Sequence, residues 1–180
     1  MSPDDIDLQS YIRSIENWPK QDVIFRDITT LFENPKAFHE MIDRLIHRYH
    51  GQDITHVAAI DARGFLLGSP LAYTLKKPLV LVRKKGKLPA STISQDYEFE
   101  YGTATIEMHA DALKENDKVL LVDDLIATGG TILAAAKLIQ ACGALTVEAA
   151  AIIDLPELGG SRCLITADIP VYTLCSFDGK

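Results

Sequence analysis

Residues 119–131, VLLVDDLIATGGT, form the most informative segment of this sequence. Its apolar start predicts a buried strand, which runs directly into two aspartates, a loop of small residues and the start of a helix. In open α/β sheets, ligands bind beyond the carboxyl ends of the strands. A helix start also offers free backbone N–H groups and a partial positive charge, so this turn suits a phosphate group.

The residues of this stretch suit different parts of a sugar phosphate. Gly129 and Gly130 let the backbone approach a ligand with no Cβ in the way, and Thr128 and Thr131 add hydroxyl donors. The two aspartates are able to accept hydrogen bonds from ribose hydroxyls and to help hold Mg²⁺. The stretch matches neither GxGxxG nor GxxxxGK[ST], which weakens nicotinamide and P-loop interpretations. Taken alone, the turn is equally well explained as an ordinary helix start.

Outward from this stretch, apolar runs alternate with helical patterns along the chain. Continuous runs of Val, Ile, Leu and Ala predict strands at residues 57–60, 79–82, 119–122 and 147–153, with a last strand near 171–174. Helices are predicted at residues 64–75 and 131–142. Such alternation is typical of an α/β domain in which a central parallel sheet is flanked by helices.

The N-terminal region contains two further helical patterns. Apolar residues between positions 8 and 15 recur at helical spacing, and Trp18-Pro19 ends that pattern because a residue before proline avoids the α region. A longer helix is predicted to begin at Asn34, a good N-cap that is followed by proline, and to end near Gly51.

Residues 84–108 interrupt the alternation with a long polar insertion. We expect an extended loop that ends in a small hairpin, because a long insertion between core strands often forms a functional flap. We call this segment the hood and expect it to be flexible. A basic cluster from Arg83 to Lys87 opens it and would attract a small polyanion, although charge runs are usually solvated surface.

Composition limits the possible partners of the chain. With 180 residues and a formal net charge of −7, it suits one domain spanning residues 1–180 and argues against a nucleic-acid partner. No apolar stretch is long enough for a membrane-spanning helix, so no membrane partner is expected. Three widely spaced cysteines and no secretion signal predict reduced thiols in a cytoplasmic protein.

Residues 119–131 closely resemble the motif with which type I phosphoribosyltransferases bind phosphoribosyl pyrophosphate (PRPP). The resemblance implies that Asp123 and Asp124 contact the ribose hydroxyls and that any contact with Mg²⁺ is indirect, through PRPP. It implies that the following loop holds the 5′-phosphate; its residues are Ala127, Thr128, Gly129, Gly130 and Thr131. The fold of that family, a parallel sheet flanked by helices with a flexible hood, agrees with the alternation described above.

Residues 23–28, VIFRDI, resemble the adenine-specific members of this family, so residues 1–34 are interpreted as a base-binding segment. On the residues alone, Phe25 offers a flat apolar face to a purine, or else belongs to the core. The resemblance implies that Phe25 stacks on adenine and that Leu125 packs on the other face. It also implies that the backbone at Ile24 and Arg26 reads the edge of the base.

Two further segments are implied to bind pyrophosphate. Residues 61–65, DARGF, form an anion corner in which Arg63 is the ligand, often after a non-proline cis peptide. Some relatives have serine in place of Ala62, which is a minor departure because this loop mainly uses backbone groups. Residues 82–89, VRKKGKLP, imply that Arg83 and Lys87 also bind pyrophosphate, either in their own subunit or across the interface of a homodimer.

Residues 100–102, EYG, complete the resemblance. They imply that Glu100 and Tyr101 lie on the hood, with Tyr101 binding PRPP or AMP and Glu100 handling the adenine proton at N7 or N9. The expected activity is transfer of the phosphoribosyl group of PRPP to N9 of adenine, giving AMP and pyrophosphate. Mg²⁺ is the expected cofactor, and a homodimer the expected assembly.

Three alternatives stay open from the sequence. Phosphoribosyltransferases acting on hypoxanthine, guanine, xanthine or orotate share the PRPP stretch, although the 6-oxopurine enzymes usually place a lysine to read the oxo group. A PRPP-sensing or purine-sensing regulator would need a DNA-binding domain or a basic face. A generic nucleotide-binding α/β domain would leave the basic cluster and the paired acids without a common purpose.

Overall fold

The centre of the fold is formed by three apolar strands, β3 (His56–Ile60), β7 (Lys118–Val122) and β9 (Leu145–Asp154). The structure, a computed structural model, describes residues 6–99 and 102–178. Along β3, Val57 and Ala59 are buried on one face of the sheet, whereas Ala58 and Ile60 are buried on the other. A strand buried on both faces needs a continuous apolar sequence, which is what these runs provide.

The remaining strands extend this centre on both sides. They are β4 (Leu79–Lys84), β5 (Thr92–Phe99), β6 (Gly102–His109), the short β8 (Leu125–Ile126) and β10 (Val171–Ser176). The strand order is β10-β9-β7-β3-β4-β6-β5, and β8 pairs with β9. Neighbours from β10 to β4 are parallel, whereas β6 and β5 join antiparallel. The expected central parallel sheet is confirmed, and the hood strands extend it.

Helices cover both faces of the sheet. Helices α1 (Thr29–Glu33), α2 (Pro35–Tyr49) and α3 (Gly64–Leu75) pack on one face, and α4 (Gly130–Ala141) and α5 (Gly160–Thr166) pack on the other. Asn34 caps α2 as expected, its side chain accepting hydrogen bonds from two backbone N–H groups of the first turn. None of the described helices combines the length and apolarity needed to cross a bilayer.

The helix expected from residues 8–15 is wrong beyond Tyr11. A 3₁₀ helix spans Leu8–Tyr11, after which strands β1 (Arg13–Glu16) and β2 (Ile24–Asp27) form an antiparallel hairpin. Ile15 lies opposite Phe25 in this hairpin. Contacts between the two strands therefore override the local helical spacing, which carries no information about the partner strand.

The hood is more regular than expected. Strands β5 and β6 pair along their whole length, from Thr92 opposite His109 to Phe99 opposite Gly102. Among the residues of the hood that the structure describes, the irregular part is residues 85–91 between β4 and β5. Ile93 and Tyr97 alternate with polar neighbours and pack against the core, a weak period-two pattern within a polar composition. The predicted small hairpin therefore occupies most of residues 84–108.

Candidate active site

The turn between β7 and α4 depends on glycine at its tightest point. Gly129, at the N-cap of α4, has φ of +80°, a left-handed conformation that side chains disfavour. A Cβ there would also lie 2.9 Å from the carbonyl oxygen of Gly160. The turn and the first residues of α4 line a cavity, and a helix start of this kind suits an anion.

The corner at Gly159 and Gly160 packs against the backbone of this turn. The N–H of Gly160 donates a hydrogen bond of 3.0 Å to the carbonyl oxygen of Ala127. A Cβ on Gly160 would overlap that oxygen and lie 2.7 Å from the nitrogen of Gly129. Sequence reasoning did not identify Gly160 as a site residue; the consecutive glycines at 159–160 were the available signal.

A cavity of about 370 Å³ lies at the carboxyl ends of β3 and β7. The acids and the turn that follow β7 line this cavity together with the arginine that follows β3. The predicted residues in its lining are Arg63, Asp123, Asp124, Leu125, Ala127, Thr128, Gly129, Gly130 and Thr131. Asp61 and Tyr97 line it as well, and sequence reasoning assigned neither of them a role.

The two acids are crowded together in a largely buried position. Asp123 Oδ1 accepts a hydrogen bond of 2.8 Å from the backbone N–H of Asp124, and Asp124 Oδ2 lies 2.8 Å from Arg63 Nε. Burial raises the pKa of both carboxyls, and the Asp124 charge raises the pKa of Asp123 further. Arg63 partly opposes the effect of burial on the pKa of Asp124. A ligand that supplies hydroxyl donors or positive charge would therefore stabilise the ionised form of both carboxyls.

The acid pair fits the oxygen chemistry that Mg²⁺ prefers. Asp124 Oδ2 is buried and accepts no hydrogen bond from the described residues, its contact with Arg63 being an ion pair without hydrogen-bond geometry. Within residues 6–99 and 102–178, no group of three acidic, histidine or cysteine side chains could hold a metal ion. The pair therefore fits a cation that arrives with ligands of its own, as Mg²⁺ bound to PRPP would.

The corner after β3 has the form that the resemblance implies. The peptide bond between Asp61 and Ala62 is cis, and Arg63 follows it at the N-cap of α3. A Cβ on Gly64 would lie 2.9 Å from the carbonyl oxygen of Val122, so this corner packs directly against the end of β7. That close packing brings Arg63 next to the acid pair.

Arg83 and Lys87 do not belong to the lining of the cavity. Arg83 Nε donates a hydrogen bond of 3.0 Å to Asp61 Oδ2, and Arg83 Nη1 donates one of 3.1 Å to the carbonyl oxygen of Lys87. The Arg83 guanidinium thus connects the basic cluster to the corner after β3. Lys87 itself is exposed.

Phe25 lies beside the cavity rather than in the core. Its ring is half-buried, Trp18 packs edge-on against it with ring centroids 4.4 Å apart, and the Arg63 guanidinium lies 5.5 Å from its centroid. Phe25 and Arg63 are therefore neighbours, although their segments are far apart in sequence. The interpretation of Phe25 as a core residue is not supported.

The hairpin strand β2 offers backbone groups beside Phe25. Among the described strands, β2 pairs with β1 alone, so its other edge keeps unpaired backbone groups at alternate positions. Ile24 and Arg26 flank Phe25 on this strand. The Arg26 side chain is engaged elsewhere, donating hydrogen bonds to Ser14 Oγ at 2.5 Å and to the carbonyl oxygen of Asp178 at 3.1 Å.

The two hood residues of the prediction, Glu100 and Tyr101, lie outside the described residues. Tyr97 lies on strand β5, which precedes these two residues, and it lines the cavity. The hood strand β5 therefore reaches the candidate site.

Comparison with known proteins agrees with this geometry. A family model described as "Phosphoribosyl transferase domain" matches residues 28–162. A relative from Marinobacter nauticus, named adenine phosphoribosyltransferase, is 60% identical over 172 residues, which cover 96% of this chain and 96% of that protein. A relative of the same name from Marinomonas is 58% identical over 177 residues, covering 98% of each.

Solved structures give the same result. The crystal structure of adenine phosphoribosyltransferase from Thermoanaerobacter pseudethanolicus matches with a TM-score of 0.90 and 42% identity, covering 95% of this chain and 98% of that one. The enzyme from Trypanosoma brucei, in complex with AMP, pyrophosphate and ribose-5-phosphate, matches with a TM-score of 0.88 and 33% identity, covering 97% of this chain and 80% of that one.

Proposed function

The chain belongs to the adenine phosphoribosyltransferase family, and we propose that it transfers the phosphoribosyl group of PRPP to N9 of adenine, giving AMP and pyrophosphate. This reaction is a pentosyl transfer of purine salvage. The observation that carries the proposal is the cavity in which an anion-binding turn, a pair of acids and an arginine meet.

The 5′-phosphate and the ribose of PRPP would occupy the end of the cavity formed after β7. The backbone N–H groups at the start of α4 and the hydroxyls of Thr128 and Thr131 are suited to the phosphate, together with the backbone at Ala127, Gly129 and Gly130. Asp123 and Asp124 would accept hydrogen bonds from the ribose hydroxyls. Their crowding in the ligand-free site supports this role, because those donors would stabilise both charges.

Negative charge builds up on pyrophosphate as it leaves C1 of the ribose. Arg63 would stabilise that charge, since it lies in the cavity and its partner Asp124 would turn to the ribose. Mg²⁺ carried by PRPP next to Asp123 and Asp124 would neutralise further charge on the leaving group. Arg83 and Lys87, which flank the corner after β3, are proposed to approach pyrophosphate when PRPP is bound.

Adenine would bind on the side of the cavity formed by the N-terminal hairpin. Stacking on Phe25 is supported by the closeness of its ring to Arg63, and packing of Leu125 is supported by its position in the lining. The unpaired edge of β2 supports readout of the base by backbone groups of Ile24 and Arg26.

The adenine N9 attacks C1 as pyrophosphate departs, with inversion at a carbon that develops positive charge. The base must lose a proton, and we propose Glu100 as the group that handles it at N7 or N9. A well-placed acid or base contributes about 10²–10⁴-fold to the rate. Tyr101 would lie against PRPP or AMP. Both assignments rest on the family resemblance of residues 100–102.

The test is a base panel in the presence of PRPP and Mg²⁺. Pyrophosphate release and nucleotide formation are measured with adenine, hypoxanthine, guanine, xanthine and orotate. We expect AMP from adenine and little release with the other bases or without base. Comparable turnover of hypoxanthine or guanine would contradict the adenine assignment, and PRPP binding by the Asp123→Ala, Asp124→Ala double variant would contradict the ribose assignment.

We also propose a homodimer located in the cytoplasm. Three large apolar side chains that are exposed in the single chain, Leu66 and Tyr73 on α3 and Leu79 at the start of β4, supply a surface suited to a second copy. Cys142, Cys163 and Cys175 are free thiols, which supports a reducing compartment. Sedimentation equilibrium tests the dimer, and a monomer at micromolar concentration would contradict it.

A further inference from the structure

Glu107, in the hood strand β6, is a buried carboxylate held by backbone amides. It is only 5% exposed, although carboxylates are rarely buried unless they are paired or hydrogen-bonded. Its Oε1 accepts hydrogen bonds from the N–H of Leu88 at 2.9 Å and from the N–H of Lys87 at 3.1 Å. The Leu88 amide lowers the pKa of Glu107 most strongly and outweighs the opposing effect of burial.

The amides that Glu107 holds belong to the tight turn of the basic cluster. The N–H of Lys87 also donates to the carbonyl oxygen of Lys84 at 3.2 Å, and Gly86 between them has φ of +80°. A hydrogen bond of 3.0 Å from the N–H of Lys85 to the carbonyl oxygen of Thr105 fixes the start of the turn. Glu107 holds the end of the turn, since its carboxylate accepts hydrogen bonds from the N–H groups of Lys87 and Leu88.

A continuous chain of hydrogen bonds joins this turn to the candidate active site. The carbonyl oxygen of Lys87 accepts from Arg83, and Arg83 donates in turn to Asp61. Asp61 lines the cavity and directly precedes the corner that carries Arg63. The position of Glu107 is thereby linked, through backbone and side-chain contacts, to the place where pyrophosphate would leave.

We propose that Glu107 is a positioning residue of the transfer reaction: it shapes the turn at residues 84–88 so that Lys87 and Arg83 are presented to pyrophosphate. This inference rests on the proposed function and adds a residue to it. Charge-assisted hydrogen bonds are shorter and roughly twice as strong as neutral ones, so a carboxylate defines this turn better than an amide would.

The test compares Glu107→Gln and Glu107→Ala with the wild-type chain. Glutamine keeps an acceptor of the same shape without the charge, whereas alanine leaves both amides without their partner. We expect the KM for PRPP to rise about ten-fold in Glu107→Ala and less in Glu107→Gln, as for loss of hydrogen bonds to a charged group. The KM for adenine should stay within about two-fold, because only the pyrophosphate side is disturbed.

Asp96→Asn is the matched control. This hood carboxylate accepts a hydrogen bond of 2.6 Å from Thr105 Oγ1 within the hairpin and has no hydrogen bond to the turn at 84–88. We expect its KM for PRPP to equal that of the wild type. Thermal unfolding of each variant establishes that it is folded before kinetics are compared.

A double-mutant cycle with Lys87→Ala separates positioning from general support of the fold. If Glu107 acts through the turn, Glu107→Gln raises the KM for PRPP less in the Lys87→Ala background than in the wild type, because only its effect through Arg83 remains. Fully additive effects, an unchanged KM for PRPP in Glu107→Ala, or equal rises in both KM values would overturn the inference. Calorimetric titration with PRPP and Mg²⁺ in the absence of base gives the same comparison even if adenine is not the acceptor.

Discussion

Gly160 shows how a residue without a side chain can shape a binding site. It contacts the backbone of the turn between β7 and α4 so closely that any Cβ would overlap main-chain atoms, and no side-chain rotation could relieve that overlap. We therefore expect Gly160→Ala to displace the turn. Small displacements of binding groups can cost on the order of 10²-fold, so we expect a rise of this order in the KM for PRPP.

Gly51→Ala is the control for the Gly160 prediction. Gly51 has φ of +78°, and a Cβ there would have no neighbour within 4 Å. This variant adds backbone strain, which costs of order 1 kcal/mol, but moves nothing near the cavity. Steady-state kinetics with varied PRPP distinguish the two variants. A wild-type KM in Gly160→Ala would show that the corner at Gly160 does not support the turn.

Asp123 is predicted to lower the thermal stability of the ligand-free protein, although it favours binding of the ligand. Burial and the neighbouring Asp124 charge raise its pKa, so its ionised form is disfavoured by folding. Asp123→Asn removes that charge, and we expect a higher Tm at pH 7, by roughly 2–4 °C for each kcal/mol gained in a chain of this size.

The same variant should lose affinity for PRPP, since an amide is a weaker acceptor for ribose hydroxyls than a carboxylate. Differential scanning calorimetry with and without PRPP and Mg²⁺ measures both effects. PRPP and Mg²⁺ should raise the Tm of the wild type more than they raise the Tm of Asp123→Asn. A lower Tm in ligand-free Asp123→Asn would contradict the destabilising role of this carboxylate.

At the scale of elements, the sequence was sufficient where a pattern is local. The helix predicted at 64–75 matches α3, and the helix predicted at 131–142 is shifted by one residue in α4. The strands predicted from apolar runs are also found, as β3, β4, β7, β9 and β10. The sequence missed the strand at residues 13–16 and the length of the hood hairpin, because both depend on pairing with the next strand along the chain.

The candidate site also combines features that a local pattern predicts with contacts that only the structure shows. Arg63 and the acid pair meet because parallel strands end at one edge of the sheet, which the sequence pattern implies. The contacts of Asp61, Glu107 and Gly160 join different segments of the chain, and only the paired glycines at 159–160 gave a signal in the sequence. Glu100 and Tyr101 stay predictions that rest on the resemblance.

The contact between α2 and β9 supports a prediction for these two elements. Glu148 on β9 accepts hydrogen bonds from Arg48 Nε at 2.8 Å, Arg48 Nη2 at 2.6 Å and Tyr49 Oη at 2.6 Å. Glu148→Ala would leave the buried Tyr49 hydroxyl without this acceptor. We expect the free energy of unfolding to fall by about 1–3 kcal/mol, the cost of a buried group left unsatisfied.

Urea unfolding measures that loss, and the kinetic constants of Glu148→Ala at 25 °C are its internal control. The network lies away from the cavity lining, so KM and kcat of the folded variant should equal those of the wild type. Glu33→Ala, which removes an exposed carboxylate from α1, should leave stability within about 0.5 kcal/mol of the wild type. Equal losses in the two variants would contradict the role of the network.

For the whole molecule, the distribution of charge affects the binding of PRPP more than the net charge does. The chain carries 25 acidic and 18 basic residues, yet four of the basic residues lie within positions 83–87, next to the candidate site. A net negative protein repels PRPP over most of its surface, whereas this cluster attracts it locally. The acidic excess also makes the response to pH a property of several carboxyls at once.

These carboxyls fall into two groups with opposite effects on stability. The pKa of Asp27 is lowered to about 2 by hydrogen bonds from Arg13 and Thr29, and the pKa values of Glu107 and Glu148 are lowered as well. A lowered pKa in the folded state stabilises the protein above the ordinary carboxyl pKa, and this contribution is lost as the pH falls. The raised pKa values of the acid pair act in the opposite sense, reducing stability as the pH rises from about 4.

We therefore expect the Tm of the ligand-free protein to fall steeply between about pH 4 and pH 2, the window between the ordinary pKa of Asp27 and its value in the fold. Asp27→Asn should lower the Tm at pH 7 and flatten the decline below pH 4, because the amide has no proton to gain. Asp111→Asn, which changes an exposed carboxylate, should follow the wild-type curve. Circular dichroism melts from pH 2 to pH 8 make the comparison. If Asp27→Asn declined in parallel with the wild type, protonation of other groups would have to account for the acid sensitivity.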